Sequence, residues 1–312
     1  MNPNSKIKIG TRASKLAVCQ AQEVKNAILD SYPEFNANNI EIIKITTSGD
    51  RLLDQKISVI GNKGLFTKEI EDALLRKDID IAVHSMKDLP NVLPRGLIIS
   101  AVLKREDASD AFVSNKYDNI NSLPEKAIIA TSSIRRRAML LKHRADLQIA
   151  DIRGNIITRL EKLDRLNIDG IILASAGLKR INKEDRITEI ISSNIMLPAV
   201  GQGALGIECR EDNQDIIEIL SKINHQETEI CINAERNFMH NIGGDCNTPI
   251  ACYAYIKDEI ANIESKILHP ENNESFSIKK SGPVNKINDM VREISDATID
   301  KGSHIINFIK SF

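Results

Sequence analysis

The sequence predicts an α/β protein built from mixed or parallel sheets covered by helices, with a smaller α+β unit at the end of the chain. Short β-branched runs alternate with polar loops and amphipathic stretches from Lys6 to about Ile195, a pattern typical of helices packed on sheets. Hydrophobic residues make up 42% of the chain and aromatic residues 4%, which indicates an aliphatic core rather than long disorder. The 312 residues exceed what one growing core holds, so two or three domains are expected.

Individual elements follow from the spacing of the apolar residues. Short runs rich in Ile, Val, Leu and Ala predict strands at Ile40–Thr46, Asp80–Val83, Leu97–Leu103, Ala127–Ala130, Leu147–Ile152 and Gly170–Ala174. Apolar residues three or four apart predict helices at Leu16–Leu29, Leu65–Arg76, Ile134–His143 and Ile156–Leu166.

Two segments interrupt this alternation. A charged stretch at Lys104–Asp110 and a Gly- and Pro-rich stretch at Leu197–Gly206 read as domain boundaries. Beyond them the pattern predicts a strand at Leu205–Cys209, helices at Asp215–Ile223 and about Glu227–His240, and then, after Pro249, three strands and a long helix. We therefore expect three domains.

Charge and composition narrow the class of protein. The formal net charge of −1 argues against a molecule that coats nucleic acid or anionic lipid. No apolar run reaches the roughly 20 residues that span a bilayer, and the first ten residues lack the apolar core of a secretory signal. The five cysteines form no C-x-x-C pair, which predicts neither a disulfide framework nor a metal site and favours a reduced, cytoplasmic setting.

Basic residues stand where helices begin, although helix N-termini favour acids. The junctions that combine them with Ser, Thr, Asn or Gly are Thr11–Ser14, Asn62–Lys68, Thr131–Arg137 and Arg153–Asn155. Any one arginine could simply face solvent, and Arg135, Arg136 and Arg137 cannot all face one way. Together the junctions favour a polyanionic ligand, and a phosphate or several carboxylates would serve equally well.

The segment Gly201–Gly206 matches the G-x-G-x-x-G pattern of dinucleotide-binding proteins. That fingerprint requires a strand, a turn and a helix in order. Here a Pro-containing loop precedes the pattern and a strand is predicted after it, so we reject NAD or FAD binding.

Two segments are candidates for chemistry. Asp88 follows a buried-looking strand, at the end where α/β proteins place their sites, although a surface turn closed by Pro90 is the alternative. Cys246 stands in a Gly-containing loop before a strand, where a thiol is more accessible to covalent chemistry than in a core, although inert packing is the alternative.

At these segments the sequence resembles the porphobilinogen deaminase family, also called hydroxymethylbilane synthases, over nearly the whole chain. The motifs occur in family order: GTRASKLA, NKGLFTKEIE, DIAVHSMKDLP, ATSSIRRRA, DIRGNIITRL, ILASAGLKR, LPAVGQGALGIECR and the cysteine loop. The resemblance implies head-to-tail condensation of four porphobilinogen molecules to hydroxymethylbilane, with release of ammonia. It also implies a dipyrromethane cofactor attached through Cys246, a cytoplasmic monomer and no nucleic-acid or membrane partner.

The resemblance further implies the roles of individual residues. Asp88 would be catalytic, stabilising the cation left when ammonia departs and moving protons. The cofactor-binding set would be Cys246, Lys87, Ser133, Arg135, Arg136 and Asp50. The substrate-binding set would be Arg12, Ser14, Lys63, Arg153, Arg159 and Arg180.

The family fold implied is two doubly wound domains, similar to type II periplasmic binding domains, followed by a smaller α+β domain. The domain boundaries we predict are 1–103 with 204–221, 104–203 and 222–312, the last carrying Cys246. Departures from the family pattern are Asp245 beside the cysteine, which would raise the pKa of that thiol if close, and Val59 in place of a frequent Lys. Two other classes stay open at this point: an exported solute-binding protein and a phosphate- or nucleotide-binding regulator.

Overall fold

The computed structural model describes residues 6–51, 66–245 and 248–311. The chain divides into two compact units, one formed by residues up to 105 with 204–229, the other by 106–203 with 230–312. No helix within the described ranges is long and apolar enough to cross a membrane.

The first unit contains a five-stranded sheet. Its strands are β1 (Ile7–Arg12), β2 (Ile40–Ile45), β3 (Ile81–Ser85), β4 (Leu97–Val102) and β10 (Leu205–Arg210), in the order β2-β1-β3-β10-β4. β10 runs antiparallel to both of its neighbours, whereas β1 pairs in parallel with β2 and β3. The helices of this unit are α1 (Lys15–Ser31), α2 (Ser48–Arg51), α3 (Lys68–Leu75) and α7 (Gln214–Ser221).

The core of this unit forms because apolar residues repeat on one face of each element. Val24 and Ile28 of α1 pack with Ile9 of β1 and Ile207 of β10 in one buried cluster. Parallel strands covered on both faces have continuous apolar sequences, as in β3. The antiparallel strand β10 is also buried along its whole length.

The second unit contains another five-stranded sheet with the same spatial arrangement of parallel and antiparallel strands. Its strands are β5 (Asp110–Val113), β6 (Ile128–Ala130), β7 (Gln148–Ala150), β8 (Gly170–Ala174) and β9 (Glu189–Ile190), in the order β7-β6-β8-β5-β9. β5 is the antiparallel strand here, as β10 is in the first sheet. The helices that follow its strands are α4 (Ile134–His143), α5 (Ile156–Arg165) and α6 (Ser175–Arg180).

A smaller α+β part completes the second unit. Its antiparallel strands β11 (Ile250–Lys257), β12 (Ile260–Leu268) and β13 (Ser275–Pro283) pair in sequence order. The helices α8 (Gln226–Asn241), α9 (Ile287–Lys301) and α10 (Ser303–Ser311) accompany them. Ile263 and Ile267 of β12 pack with Phe238 of α8 and Ile294 of α9 in one buried cluster.

The fold class predicted from the sequence is confirmed, and most elements lie where the apolar spacing placed them. Where one long C-terminal helix was predicted, the structure has two helices, α9 and α10, because the helix is interrupted at Gly302. β5 was not predicted; it overlaps the charged stretch read as a boundary. The three domain boundaries stay a prediction, since the smaller sheet shares a compact unit with the second five-stranded sheet.

Candidate active site

In the first sheet, β1 ends at Arg12 and α1 begins three residues later, at Lys15. The Ser14 side chain caps α1 by accepting a hydrogen bond from the Ala17 amide at 3.3 Å. Thr11, which is fully buried, donates its hydroxyl to the Ala17 carbonyl at 3.0 Å. The local sequence therefore fixes the turn that brings Arg12 and Ser14 to the carboxyl end of β1.

Arg12 is paired with Asp50 of α2. Its Nε donates to Asp50 Oδ1 at 3.2 Å, a second nitrogen bonds the same oxygen, and the guanidinium lies 4.2 Å from the Phe66 ring centroid. Burial alone would raise the pKa of Asp50, but the bonds from Arg12 and Thr47 outweigh it and hold that pKa below its ordinary value. The structure thus joins a predicted substrate-binding arginine to a predicted cofactor-binding aspartate.

Asp88 lies in a 3-10 turn directly after β3, together with Met86 and Lys87. Buried contacts hold this turn. Met86 is buried and its amide donates to the Ala204 carbonyl at 3.0 Å, and the Ser85 hydroxyl accepts a hydrogen bond from Gln20 at 2.8 Å. The Asp88 side chain is exposed, so its carboxylate can meet a ligand without rearrangement of the core.

A buried group of ionisable side chains lies in the same unit, and the sequence did not reveal it. His84 Nε2 of β3 is 2.9 Å from Glu208 Oε2 of β10, and Glu208 is fully buried. Glu71 of α3 is 7% exposed. Burial raises the pKa of Glu71, and the negative charge of Glu208 raises it further. The signal in the sequence was a glutamate, Glu208, between the apolar residues Ile207 and Cys209 of a predicted strand.

The Glu71→Gln substitution should stabilise the protein more as the pH rises. A raised pKa in the folded state means that the stability from protonated Glu71 is complete below the unfolded pKa of about 4.3 and is lost as the pH rises through the folded pKa. We expect the free energy of unfolding, from urea titrations, to favour the variant by about 1 kcal/mol or more at pH 8, the order of one buried unsatisfied polar group. Glu41→Gln, at an exposed position of β2, is the matched control. A difference that does not change between pH 4 and pH 8 would contradict this assignment.

In the second sheet, the corresponding turn after β6 carries Ser133 and the arginines of α4. Ser133 caps α4 by accepting from the Arg136 amide at 3.4 Å. Arg135 and Arg136 are 4% and 6% exposed, whereas Arg137 is exposed, so the three arginines do not all face one way. The guanidinium groups of Arg135 and Arg136 are therefore buried beside the N-terminal turn of α4.

Both buried arginines bind Asp110 of β5, which sequence reasoning missed. Arg135 Nη2 donates to Asp110 Oδ2 at 2.8 Å, and Arg136 Nε donates to Oδ1 at 2.9 Å. Burial by itself would raise the pKa of Asp110, but the two guanidinium groups hold it below its ordinary value. Arg135 Nη1 also donates to the Leu197 carbonyl at 2.6 Å, and Arg136 Nη1 donates to the Ile172 carbonyl at 2.9 Å. The pair is therefore a fixed, buried source of positive charge.

The remaining predicted arginines lie on neighbouring loops and helices of the same unit. Arg153 follows β7 and is half-buried. Arg159 of α5 donates Nε to the Gly154 carbonyl at 2.8 Å, and Arg180 at the end of α6 donates Nη2 to the Gly203 carbonyl at 3.0 Å. Backbone carbonyls therefore hold Arg159 and Arg180, which only the family resemblance singled out, whereas Arg153 belongs to a junction predicted from the sequence.

Three residues of the sequence analysis lie outside the described residues: Lys63, Cys246 and Val59. The neighbouring Asp245 is exposed, and its amide donates to Thr248 Oγ1 at 3.2 Å. Among the sequence-predicted site residues, the structure brings together Arg12 with Asp50 and Ser133 with Arg136, each within one unit.

The fold and these side chains define an α/β protein that carries basic side chains in the loops and helices after its strands. Residues 7–218 match the family described as "Porphobilinogen deaminase, dipyromethane cofactor binding domain", and residues 229–299 match its C-terminal domain. The chain belongs to the porphobilinogen deaminase family. It is a transferase of tetrapyrrole biosynthesis with a domain for the dipyrromethane cofactor, so the solute-binding and regulator readings fall away.

Two relatives illustrate the match. The porphobilinogen deaminase of Syntrophomonas wolfei is 43% identical over 300 residues, covering 96% of this chain and 97% of that protein. The porphobilinogen deaminase of Listeria monocytogenes serotype 4b is 49% identical over 265 residues, covering 84% and 85%. Among solved structures, the methionine binding protein MetQ gives a TM-score of 0.41 at 16% identity, covering 71% of this chain and 89% of that chain, a likeness too weak to bear on function.

The residues at these strand ends fit a dipyrromethane. Each of its pyrroles carries an acetate, a propionate and a ring N–H, so it calls for cationic groups and a hydrogen-bond acceptor. The second unit by itself carries buried positive charge at Arg135 and Arg136, and the first unit by itself carries an exposed carboxylate at Asp88, a group of the kind that accepts hydrogen bonds. The chemistry of the donor set therefore agrees with the family.

Proposed function

We propose that the protein condenses four porphobilinogen molecules head to tail into hydroxymethylbilane and releases ammonia at each addition. The observation that carries this proposal is Asp88: an exposed carboxylate at the end of a buried strand, beside Lys87, on a turn anchored by the buried Met86. Preorganised charge of this kind stabilises a transition state because it needs no reorientation during the reaction.

In this proposal Asp88 acts on the substrate pyrrole. Its carboxylate accepts a hydrogen bond from the pyrrole N–H and stabilises the positive charge that develops as the aminomethyl nitrogen leaves. The same oxygens can pass a proton to the leaving amine and take one from the attacked carbon. Exposure suits these tasks, since the carboxylate has to reach a ligand.

The basic groups bind the acetates and propionates. In the first unit we assign this task to Arg12, Ser14, Lys63 and Lys87, with Asp50 holding Arg12 in place. In the second unit we assign it to Ser133, Arg135, Arg136, Arg153, Arg159 and Arg180. Guanidinium groups suit carboxylates because they can donate two parallel hydrogen bonds.

Cys246 is the proposed anchor of the cofactor. When bound, a dipyrromethane supplies the free α-carbon to which the first pyrrole is joined. A thioether needs a thiol within reach of solvent, and both described neighbours of the loop, Asp245 and Thr248, are exposed or half-buried. We further propose that the protein is cytoplasmic and monomeric. Multi-angle light scattering of the purified protein would test the monomeric state.

Intact mass tests the anchor. We expect the purified protein to be heavier than its sequence by two linked pyrrole units and to lose this excess in the Cys246→Ser variant. The matched control is Cys19→Ser, at a half-buried cysteine of α1, which should keep the excess. A folded, unmodified protein that fails to consume porphobilinogen would overturn the proposed function. Loss of the excess mass in Cys19→Ser but not in Cys246→Ser would assign the attachment point to Cys19 instead.

A further inference from the structure

The segment that resembles a dinucleotide fingerprint has a different task in the structure. It forms a loop, Ala199–Gly203, that leads into β10. Gln202 is 1% exposed, and its Nε2 donates both to the Ala108 carbonyl at 2.6 Å and to Asp110 Oδ1 at 3.0 Å. A buried amide with two such bonds ties the loop to β5 and fixes the Asp110 side chain.

The carboxylate of Asp110 is in turn the only acidic group bound by Arg135 and Arg136 in the described part of the unit. Arg135 binds Oδ2, whereas Arg136 and Gln202 share Oδ1. The orientation of this carboxylate therefore contributes to the orientation of both guanidinium groups, together with the carbonyls of Leu197 and Ile172. Because one negative charge faces two positive charges at a buried site, the surplus positive charge is weakly screened and its direction matters.

The loop also holds Arg180. The Gly203 carbonyl accepts from Arg180 Nη2 at 3.0 Å and from the Glu106 amide at 3.3 Å. Gly203 has φ of +88°, and a Cβ there would lie 2.4 Å from the Glu106 carbonyl oxygen. Only glycine allows this close approach, so the loop geometry is fixed on both sides of Gln202.

The far side of the loop is bound to α8. The Gly201 amide donates to Glu235 Oε2 at 2.7 Å, and the Ala254 amide of β11 donates to Oε1 at 2.8 Å. Glu235 is fully buried. A continuous chain of hydrogen bonds and backbone therefore runs from the smaller sheet through Gly201 and Gln202 to Asp110.

We propose that Gln202 is a positioning residue for the condensation: it orients Asp110, and through it the arginine pair Arg135 and Arg136. The role of the pair in carboxylate binding rests on the proposed function. The geometry of the pair does not, and it can be measured without any ligand.

The test replaces the amide and keeps its size. Gln202→Met removes the hydrogen bonds at similar volume, and Gln202→Glu puts a second carboxylate against Asp110. In the holoenzyme we expect kcat/KM for porphobilinogen to fall at least tenfold in both variants, because a misplacement of about 1 Å can cost roughly a hundredfold. Intact mass reports how much of each variant carries the covalent group, so the rate is expressed per loaded enzyme.

Two controls separate positioning from loss of stability. Gln148→Met lies at an exposed position of β7 in the same sheet and should leave kcat/KM unchanged. Ile129→Val, at a fully buried position of β6, lowers the melting temperature without touching the arginines. A positioning role requires kcat/KM to fall in Gln202→Met but not in Ile129→Val at a matched loss of melting temperature; equal rates in both would overturn it.

A readout without activity tests the geometry itself. The Nε–H of Arg136 is buried and bonded to Asp110, so its NMR signal should exchange slowly with solvent in the wild type. We expect faster exchange in Gln202→Met and wild-type exchange in Gln148→Met. Unchanged exchange in Gln202→Met would overturn the proposal even if the rate fell. An inactive wild type with slow Arg136 exchange would instead refute the proposed function alone.

Discussion

Replacing Asp88 with Asn lowers kcat for porphobilinogen consumption by at least about a hundredfold, because removing one preorganised electrostatic group costs roughly 3 kcal/mol or more in transition-state stabilisation. The amide keeps the shape of the side chain but loses the negative charge and the basic oxygen. Since Asp88 is exposed and its turn is held by Met86 and Ser85, we expect the melting temperature to stay within a few degrees. Steady-state kinetics and thermal unfolding of the same preparation measure both.

The matched control for this prediction is Asp30→Asn. Asp30 is an exposed aspartate at the end of α1 in the same unit, so the substitution changes the net charge equally. Its kcat should match the wild type. Near-wild-type turnover in Asp88→Asn would remove Asp88 from the proposed chemistry. A low melting temperature would show instead that the turn depends on the Asp88 side chain for its stability.

The second large effect is on stability. Asp110→Asn should destabilise the second unit by about 3–5 kcal/mol, the cost of removing one partner from a buried ion pair. The variant leaves two buried guanidinium groups facing a neutral amide, and one of its two acceptors becomes a donor. Urea unfolding followed by circular dichroism measures the loss. Asp107→Asn, whose partner Lys179 is more exposed, is the control and should cost no more than about 1 kcal/mol.

The pH dependence of the same pair gives an independent check. A pKa depressed in the folded state contributes stability that is present above the unfolded pKa of about 4 and is lost as the pH falls through the folded value. The wild type should therefore lose stability below about pH 4, and the Asp110→Asn variant should lose less over that range. Parallel pH curves for the two proteins would contradict the depressed pKa.

Sequence reasoning reached the elements with strong apolar periodicity and the residues that stand at helix starts. Ile134–His143 and Gly170–Ala174 have the predicted bounds, because capping residues and buried runs mark them locally. Strand β5 was missed because it begins inside a charged stretch. No local pattern shows that Asp110 at its start is buried.

The partners of the arginines could not be read from the sequence for the same reason. The spacing of Arg135, Arg136 and Arg137 showed that they face different ways, and the structure buries the first two. What they bind depends on chain segments far away: Asp110 before them and the carbonyl of Leu197 after them. Pairings at such sequence separation are set by the fold. The sequence therefore predicted that the basic residues bind an anion, but not which groups of the protein the arginines bind.

The antiparallel strand β10 has a consequence for how the protein reaches its native state. β10 is the neighbour of both β3 and β4 in the first sheet, yet it comes after the whole second sheet in the chain. During synthesis, β3 and β4 therefore leave the ribosome long before the strand that separates them, and their unpaired edges invite association with other chains. Contacts of such long sequence separation form slowly, so we expect the first sheet to close late and the nascent chain to benefit from chaperones in this interval.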